Sequence, residues 1–308
     1  MSDAKPAYVD LQVNGYGGVD FNKDDLSGEE LQRCCQRLAV DGTATFLATV
    51  ITEDLDKMAQ RLRRLADLRE QDALARKMML GFHIEGPFIN EENGYKGAHP
   101  ADAIRPAQED EMKRLLDAAQ GLTKLVTLAP ERDAGLKVTR LLAKQGILVS
   151  AGHCNPSLEQ LEAALDAGVS MFTHLGNGCP AQLPRHDHIV QRVLSFAGRL
   201  WICFIADGVH VPYLALRNYL KVAGLERTIV VTDAIAPAGL GPGLYTLGRW
   251  QLKIGEDMVA RAPDGSHLVG SAISMPISVE RLMKLGGLSH PEALKLTAEN
   301  PRRALGLL

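Results

Sequence analysis

Short apolar runs rich in β-branched residues alternate along the chain with longer segments of helical spacing. Eight runs have the length and composition of buried strands, at 8–15, 44–51, 77–86, 122–131, 147–153, 170–176, 200–208 and 228–234. Helical spacing is clearest in 27–41, 54–71 and 157–168. In the last of these, Leu158, Leu161 and Leu165 recur on one face, and Ser157 has the side chain of an N-cap. We therefore predict that each run is a strand followed by a helix.

The alternation decides the fold class. Strands that alternate with helices form parallel sheets, and eight such units fit into 308 residues. This is the pattern of a (β/α)8 TIM barrel, an α/β fold. A doubly wound open sheet is the alternative, but such sheets usually have fewer strands. We predict the barrel, as a single catalytic domain over residues 1–308.

One stretch interrupts the alternation after the eighth run. Residues 236–271 carry alternating apolar positions and an Asp264-Gly265 pair, which together predict a β-hairpin insertion. Helical spacing returns at 276–286 and 289–305, so two helical segments are expected to finish the chain.

Composition narrows the functions. The formal net charge is −3 and no long basic run occurs, so we expect no nucleic-acid partner. No apolar stretch reaches 18 residues and the N-terminus has no signal-peptide pattern, so we expect no membrane partner. Five cysteines without a C-x-x-C pair suit reduced thiols, and hence a cytoplasmic location.

Polar residues occupy the ends of the predicted strands. In a (β/α)8 barrel, the carboxyl ends of all strands meet around one mouth, where the chemistry is carried out. The residues at these ends are Gln12, Asn14, Glu85, Glu131, His153, His174, Asp207 and Asp233. Two imidazoles and one carboxylate, with a position left for water, form the ligand set of a catalytic zinc site. We therefore predict a metal centre held by Glu85, His153 and His174.

Each of these residues also has a purely structural interpretation. A histidine at a strand end is often hydrogen-bonded in the core, Glu85 could cap a loop, and Asp233 could form an Asx-turn before Pro237. Four such residues at barrel tips are harder to explain that way than one, so the metal site is preferred. His99, in the loop after the third run, is either directed at a substrate or exposed.

Several motifs resemble one family in matching order. They are VDLQVNGYGGVDFN, GFHIEGPF, KGAHP, VTLAPE, SAGHCN, THLGNGCP, IADGVHV, VTDAIAPAG and LVGSAISM, and they run from about residue 8 to 305. Together they resemble the N-acetylglucosamine-6-phosphate deacetylases of the amidohydrolase superfamily. The resemblance implies a metal-dependent hydrolase that converts N-acetylglucosamine 6-phosphate to glucosamine 6-phosphate and acetate.

The resemblance also implies roles for residues. Glu85, His153 and His174 correspond to the metal ligands and Asp233 to the general base and acid. We add the hypothesis that His99 stabilises the oxyanion together with the metal. The positions that match contacts to the amino-sugar phosphate are Ala98, His99, Asn177, Gly178, Arg185, Asp207, His210, Leu268 and Gly270. Gln12-Val13-Asn14 stands where many relatives have His-x-His and a second metal. One divalent ion is therefore expected, zinc as first choice, with iron, cobalt or nickel suiting the ligands as well.

Two departures from the family bear on these expectations. Family members usually carry a small β-sandwich built from both chain ends, and we expect this chain to lack it. An uncovered barrel flank would expose apolar surface, so we keep a homodimer as a candidate assembly. The loop GNGCPAQLPRHDH at 176–188 is rich in Gly, Pro and His, which puts the sugar in question. A different N-acyl amino sugar or cyclic amide, and a non-catalytic sugar-phosphate-binding protein, are the alternatives.

Overall fold

The computed structural model describes residues 7–247, 250–255, 259–261 and 268–308. Its strands are β1 Tyr8–Val13, β2 Gly15–Tyr16, β3 Val19–Asp20, β4 Thr43–Ile51, β5 Met79–Glu85, β6 Thr123–Leu128, β7 Leu148–Ala151, β8 Val169–Phe172, β9 Trp201–Ile205, β10 Thr228–Val231, β11 Gly243–Leu247, β12 Trp250–Ile254 and β13 Ala260–Arg261. Its α-helices are α1 Gly28–Val40, α2 Leu55–Gln71, α3 Ala73–Met78, α4 Glu109–Ala118, α5 Lys137–Lys144, α6 Leu158–Ala167, α7 Ile189–Ser195, α8 Tyr213–Ala223, α9 Met275–Lys284, α10 His290–Leu294 and α11 Asn300–Ala304.

Eight parallel strands form one sheet in the order β1-β4-β5-β6-β7-β8-β9-β10. These are the eight runs predicted from the sequence, and helices separate most of them along the chain. A doubly wound sheet reverses its strand order at a switch point, whereas this order follows the chain throughout. The predicted TIM barrel is confirmed.

The barrel closes between β1 and β10 through a short backbone bridge and a buried side chain. Val13 and Ala234 form a single bridge there, and the N–H of Asn14 donates to the carbonyl oxygen of Ala234 at 2.7 Å. Further down, the buried carboxylate of Asp10 accepts hydrogen bonds from the N–H and the hydroxyl of Thr232, at 3.2 and 2.6 Å. A carboxylate thus stands where a backbone ladder would otherwise join the two strands.

Apolar side chains fill both faces of the sheet. The barrel interior contains Val9, Leu11, Leu47, Leu125, Met171, Cys203, Ile205, Ile229 and Val231. The larger cluster lies between the strands and the surrounding helices.

In α6, Leu161 and Leu165 are buried as predicted and Ser157 forms the expected capping box. Leu158 is 44% exposed, so its predicted place in the buried stripe is wrong: the first helical residue points away from the barrel.

A layer of polar side chains crosses the barrel interior just below its mouth. The Nε2 of His83 lies 2.8 Å from the hydroxyl of Thr127, which lies 2.7 Å from that of Thr173. The hydroxyl of Ser150 is 2.6 Å from that of Thr173, and Nδ1 of His83 faces Thr49. All five side chains are buried and hydrogen-bonded, as buried polar groups generally are.

The insertion after β10 folds into a small antiparallel sheet. Strand β11 pairs with β12, and β12 pairs with β13. This confirms the predicted β-hairpin, while the predicted Asp264-Gly265 turn lies outside the described residues. The chain returns beside its point of departure, where the N–H of Ile235 donates to Ser271 and that of Ser271 donates to Asp233.

The C-terminal segment covers the closing strands. Helices α10 and α11 flank one π-helical turn, Lys295–Glu299, where a single helix was predicted over 289–305. The amide of Asn300 donates to the carbonyl oxygens of Leu225 and Thr228 at 2.7 Å. Over the described ranges, no helix has the length and apolar character needed to cross a bilayer.

Candidate active site

Glu85 ends β5 at the mouth of the barrel and is the centre of the site. Its carboxylate is almost fully buried and accepts from Nε2 of Gln12, which lies 3.2 Å from both oxygens. Oε1 also lies 3.1 Å from Nε2 of His174 and 3.4 Å from Nε2 of His153. Burial alone would raise the pKa of Glu85, but His153 and His174 in their protonated forms outweigh it and hold the pKa well below its usual range.

His153 follows β7, and a hydrogen bond at Nδ1 fixes the orientation of its ring. Nδ1 lies 2.7 Å from the carbonyl oxygen of Tyr95, which can only accept, so Nδ1 carries a proton. In the neutral ring Nε2 then bears a lone pair, directed towards Glu85. Gly97 and Gly178 border the ring so closely that a Cβ on either would lie 2.9 Å from one of its atoms.

His99 is oriented by a similar relay. The hydroxyl of Thr52 donates to the carbonyl oxygen of Glu85 at 3.2 Å, so it must accept from Nδ1 of His99, 2.8 Å away. The Nε2 of His99 therefore also bears a lone pair, and burial lowers the pKa of this ring to about 3. This tautomer has no Nε2 proton for the oxyanion-stabilising role that we predicted from the sequence, and it favours a ligand role.

The convergence of these groups suits a cation. Ligand atoms of Glu85, His99 and His153 all lie within 4.8 Å of one another, and all three residues are buried. A carboxylate facing two imidazole lone pairs is repulsive unless a positive charge lies between them. His174 touches Glu85 but lies outside that triplet, and its buried Nδ1 has no partner among the described residues. The donor set fits a divalent metal ion of the kind that binds N and O ligands.

Asp233 lies just beyond β10 on the same rim. Its Oδ1 accepts from the amide of Asn14 at 2.7 Å, and its backbone carbonyl accepts from Ser271. Burial and the nearby negative charge of Glu85 raise the pKa of its carboxyl to about 6. Asn14, which the sequence placed at the first strand tip, thus orients this carboxylate.

Backbone strain is concentrated at these residues. Among the non-glycine residues that the structure describes, positive φ occurs at Gln120, Leu136, His153, His174 and Asp233, the last three with φ of 51°, 31° and 50°. Such conformations are rarely adopted by residues with a side chain and often occur at functional sites. Three independent strand tips use them to direct their side chains towards one point.

The mouth opens into a cavity of about 1270 Å³. Its walls include most residues expected to contact substrate: Ala98, His99, Asn177, Gly178, His210, Leu268 and Gly270. Asp207 is not part of the wall, but its carboxylate accepts from Nδ1 of His210 at 2.6 Å and so orients that ring. Arg185 is exposed and is not among the residues that line the cavity.

Lys96 and His188 are among the lining residues that the sequence did not assign to the site. Lys96 is the only lysine or arginine among the described residues of the cavity wall, and His188 lines it from the 176–188 loop. Lys96 lies in the KGAHP motif, so the motif contained the signal, but a lysine in a loop is usually only solvated. The supporting contacts of Thr52 and the Tyr95 carbonyl had no sequence signal at all.

Comparison with known proteins gives consistent results. No family model matches the chain. It is 32% identical over 302 residues to N-acetylgalactosamine-6-phosphate deacetylase from Escherichia coli O157:H7, covering 98% of this chain and 78% of that protein. It is 31% identical to N-acetylglucosamine-6-phosphate deacetylase from Bacillus subtilis strain 168, covering 98% and 75%. The chain thus spans about three quarters of the length of these relatives.

Solved structures agree. The N-acetyl-D-glucosamine-6-phosphate deacetylase of Mycobacterium smegmatis, as a variant in complex with N-acetyl-D-glucosamine-6-phosphate, superposes with a TM-score of 0.89 at 29% identity, covering 98% of this chain and 77% of that one. The Thermotoga maritima deacetylase gives 0.85 at 31%, covering 98% and 79%. With the same barrel and more than 30% identity to these relatives over nearly its whole length, the chain belongs to the N-acetylglucosamine-6-phosphate deacetylase family.

Proposed function

We propose that the protein is a metal-dependent deacetylase of N-acetylglucosamine 6-phosphate. The observation that carries the proposal is the convergence of Glu85, His99 and His153 within 4.8 Å, beside Asp233 on the same rim. Glu85, His153 and His174, with His99, would hold one divalent ion. When bound there, such an ion lowers the pKa of a water molecule towards neutrality and polarises the amide carbonyl.

The remaining chemistry belongs to Asp233. Its carboxylate removes a proton from the attacking water as the water oxygen bonds to the acetyl carbonyl carbon. The C–N bond then breaks, and Asp233 returns the proton to the departing nitrogen. Acetate and the free amine are the products. Asn14 keeps the carboxylate oriented through both transfers by its hydrogen bond to Oδ1.

The phosphate requires donors on the cavity wall. His210, oriented by Asp207, and the backbone near Asn177 are the groups that we assign to it. Lys96 adds the fixed positive charge that the wall otherwise lacks over the described residues. Arg185 is exposed in the isolated chain, so a phosphate contact by Arg185 would require a rearranged loop or a second subunit. We therefore retain the homodimer as part of the proposal.

Acetate release from purified, metal-analysed protein tests this function. We expect release from N-acetylglucosamine 6-phosphate, little from the unphosphorylated sugar, and about one metal ion per chain. The Asp233→Asn variant serves as control: it should keep the metal and lose about 10²- to 10⁴-fold in rate. A variant at nearly the wild-type rate would refute the role of Asp233, and metal binding without acetate from either sugar would refute the substrate.

A second substrate has specific support. The relative from Escherichia coli O157:H7 is named for N-acetylgalactosamine 6-phosphate, which differs in sugar configuration rather than in the acetamide. The acetate assay with both phosphates, under identical conditions, ranks the two by kcat/KM.

Elemental analysis of the same preparation identifies the metal, for which we propose zinc. The five free thiols support a cytoplasmic location, where cysteines stay reduced.

A further inference from the structure

Glu131 is a strand-tip acid that the proposed reaction does not use. It follows β6 in the short helical turn Pro130–Arg132, between the strands that carry Glu85 and His153. Its side chain is partly buried, and its carboxylate accepts hydrogen bonds from the two neighbouring loops. A carboxylate at this edge of the barrel needs an explanation, because burial raises the pKa of Glu131 and so makes its charge costly.

The first loop that Glu131 holds is the one that carries His153. Oε1 accepts from the backbone N–H of Asn155, two residues after the histidine. Arg192 fixes the same segment from the other side, donating to the side chain of Asn155 and to the carbonyl oxygen of Pro156. The left-handed backbone of His153 is thereby held from the residues that follow it.

The second loop supplies the partner of the His153 ring. Oε1 of Glu131 also accepts from Nδ2 of Asn90, 3.0 Å away. The N–H of Asn90 donates to the carbonyl oxygen of His153 at 2.9 Å, and its Oδ1 accepts from the N–H of Glu92. The carbonyl of Glu92 in turn accepts from Tyr95, whose own carbonyl oxygen receives Nδ1 of His153. One oxygen thus joins the backbone of the histidine to the loop that sets its tautomer.

We infer that Glu131 is a positioning residue that fixes His153 for metal binding. The inference rests on the proposed metal centre but assigns Glu131 no contact with metal or substrate. Without this acceptor, the N–H of Asn155 and the amide of Asn90 lose their common partner. The ring of His153 then loses its fixed orientation. Groups that orient metal ligands commonly affect metal affinity about 10- to 100-fold.

The chain offers a closely matched control. Asp133 lies two residues further on and is buried, and its carboxylate also accepts two backbone N–H groups, from Val138 and Thr139 at 3.1 and 2.7 Å. Those donors belong to α5 on the outside of the barrel rather than to the loops of the site. Asp133→Ala therefore removes an equivalent structural acceptor without touching His153.

Zinc affinity of metal-free protein, measured by competition with a chromophoric chelator, tests the inference. We expect Glu131→Ala to weaken zinc binding about 10- to 100-fold. Glu131→Gln should restore affinity to near the wild-type value, because its amide oxygen can accept both N–H groups and no donor from the described residues points at Oε2. Asp133→Ala should lower the unfolding temperature and leave zinc affinity unchanged.

Three outcomes would overturn the inference. Unchanged affinity in Glu131→Ala, equal losses in Glu131→Ala and Asp133→Ala, or failure of Glu131→Gln to restore affinity would each reduce Glu131 to a structural role. If Glu131→Ala does not fold, Glu131→Asp keeps the charge but is one methylene shorter, and unchanged affinity there would have the same meaning. Absence of zinc binding by the wild-type chain would instead refute the metal centre itself.

Discussion

Glycines next to the site decide how closely the backbone can approach the imidazole of His153. Gly178 adopts φ of 59° and contacts the ring, so that a Cβ there would lie 2.9 Å from Nδ1. Gly146 has a similar φ of 72° but no atom within 4 Å of a Cβ. The two positions share the same backbone strain and differ in contact with the site, so a substitution can separate these effects.

Gly178→Ala should reduce kcat/KM by about tenfold or more, because it displaces the imidazole of His153 from its productive position. Gly146→Ala should leave kcat/KM unchanged. Both variants should lose roughly 1–2 kcal/mol of unfolding free energy, since alanine is strained in the left-handed region. Steady-state kinetics and urea unfolding measure the two quantities. Equal kinetic losses in both variants would show that strain, rather than contact with His153, is responsible.

At the residue scale the sequence placed Glu85, His153 and Asp233 at one barrel mouth, as the structure does, but it did not show how their side chains are held. Turn residues after His153 and His174 marked the strand ends, and barrel geometry then brought the ends together. The tautomer of His99 depends on Thr52 and the carbonyl of Glu85, which are distant in sequence and unremarkable in type. Contacts of this kind arise only from the folded backbone.

Within a single strand, the pattern of apolar residues does not show which buried polar side chains are hydrogen-bonded. Strand β6 reads as a buried run, yet it carries two buried threonines with opposite surroundings. The hydroxyl of Thr127 bridges His83 and Thr173, whereas that of Thr123 has no partner among the described residues. Threonine favours strands in either setting, so the sequence could not distinguish them.

Replacing each threonine by valine, which has nearly the same shape, measures the difference. Thr127→Val should lower the unfolding free energy by about 1–3 kcal/mol, because it leaves buried polar partners unsatisfied. Thr123→Val should be neutral or stabilising, since it removes a buried hydroxyl that has no hydrogen bond. Urea unfolding of both variants is the measurement. A loss in Thr123→Val as large as in Thr127→Val would contradict the assigned bridge.

The barrel as a whole depends on an acid at its closing edge. Burial raises the pKa of Asp10 from 3.8 to about 7, although its hydrogen bonds with Thr232 act in the opposite direction. Because the pKa is higher in the folded state, the stabilising contribution is complete below about pH 4 and is lost as the pH rises through 7. The closing edge is therefore expected to weaken between these values.

Asp10→Asn should remove this dependence. Between pH 5 and pH 8 the wild type should lose about 2–3 kcal/mol of unfolding free energy more than the variant, at about 1.4 kcal/mol per pKa unit. Urea unfolding at both pH values gives the double difference, from which the titrating groups that do not interact with Asp10 cancel. Parallel pH profiles of the two proteins would show that the Asp10 carboxyl does not titrate in this range.

Eight apolar runs sufficed to predict the barrel, because strand count and order follow from local patterns and the chirality of parallel connections. The closure by Asp10 was not predicted. A single acid in an apolar strand does not indicate which strand its side chain will contact at the closing edge of the barrel. The π-helical turn near the C-terminus was missed for the same reason: it depends on packing rather than on local sequence.

The antiparallel insertion leaves the barrel after Ile235 and returns at Ser271, and two hydrogen bonds of 3.0 and 2.9 Å join its ends to each other and to Asp233. The insertion therefore begins and ends at neighbouring points of the barrel rim, and the entropy of closing a loop changes only slowly with its length. Leu268 and Gly270 line the cavity from its returning end, whereas the proposed metal ligands lie elsewhere. Recombination could therefore exchange this piece of the rim as a cassette and change which sugar is admitted, without rebuilding the machinery that cleaves the amide.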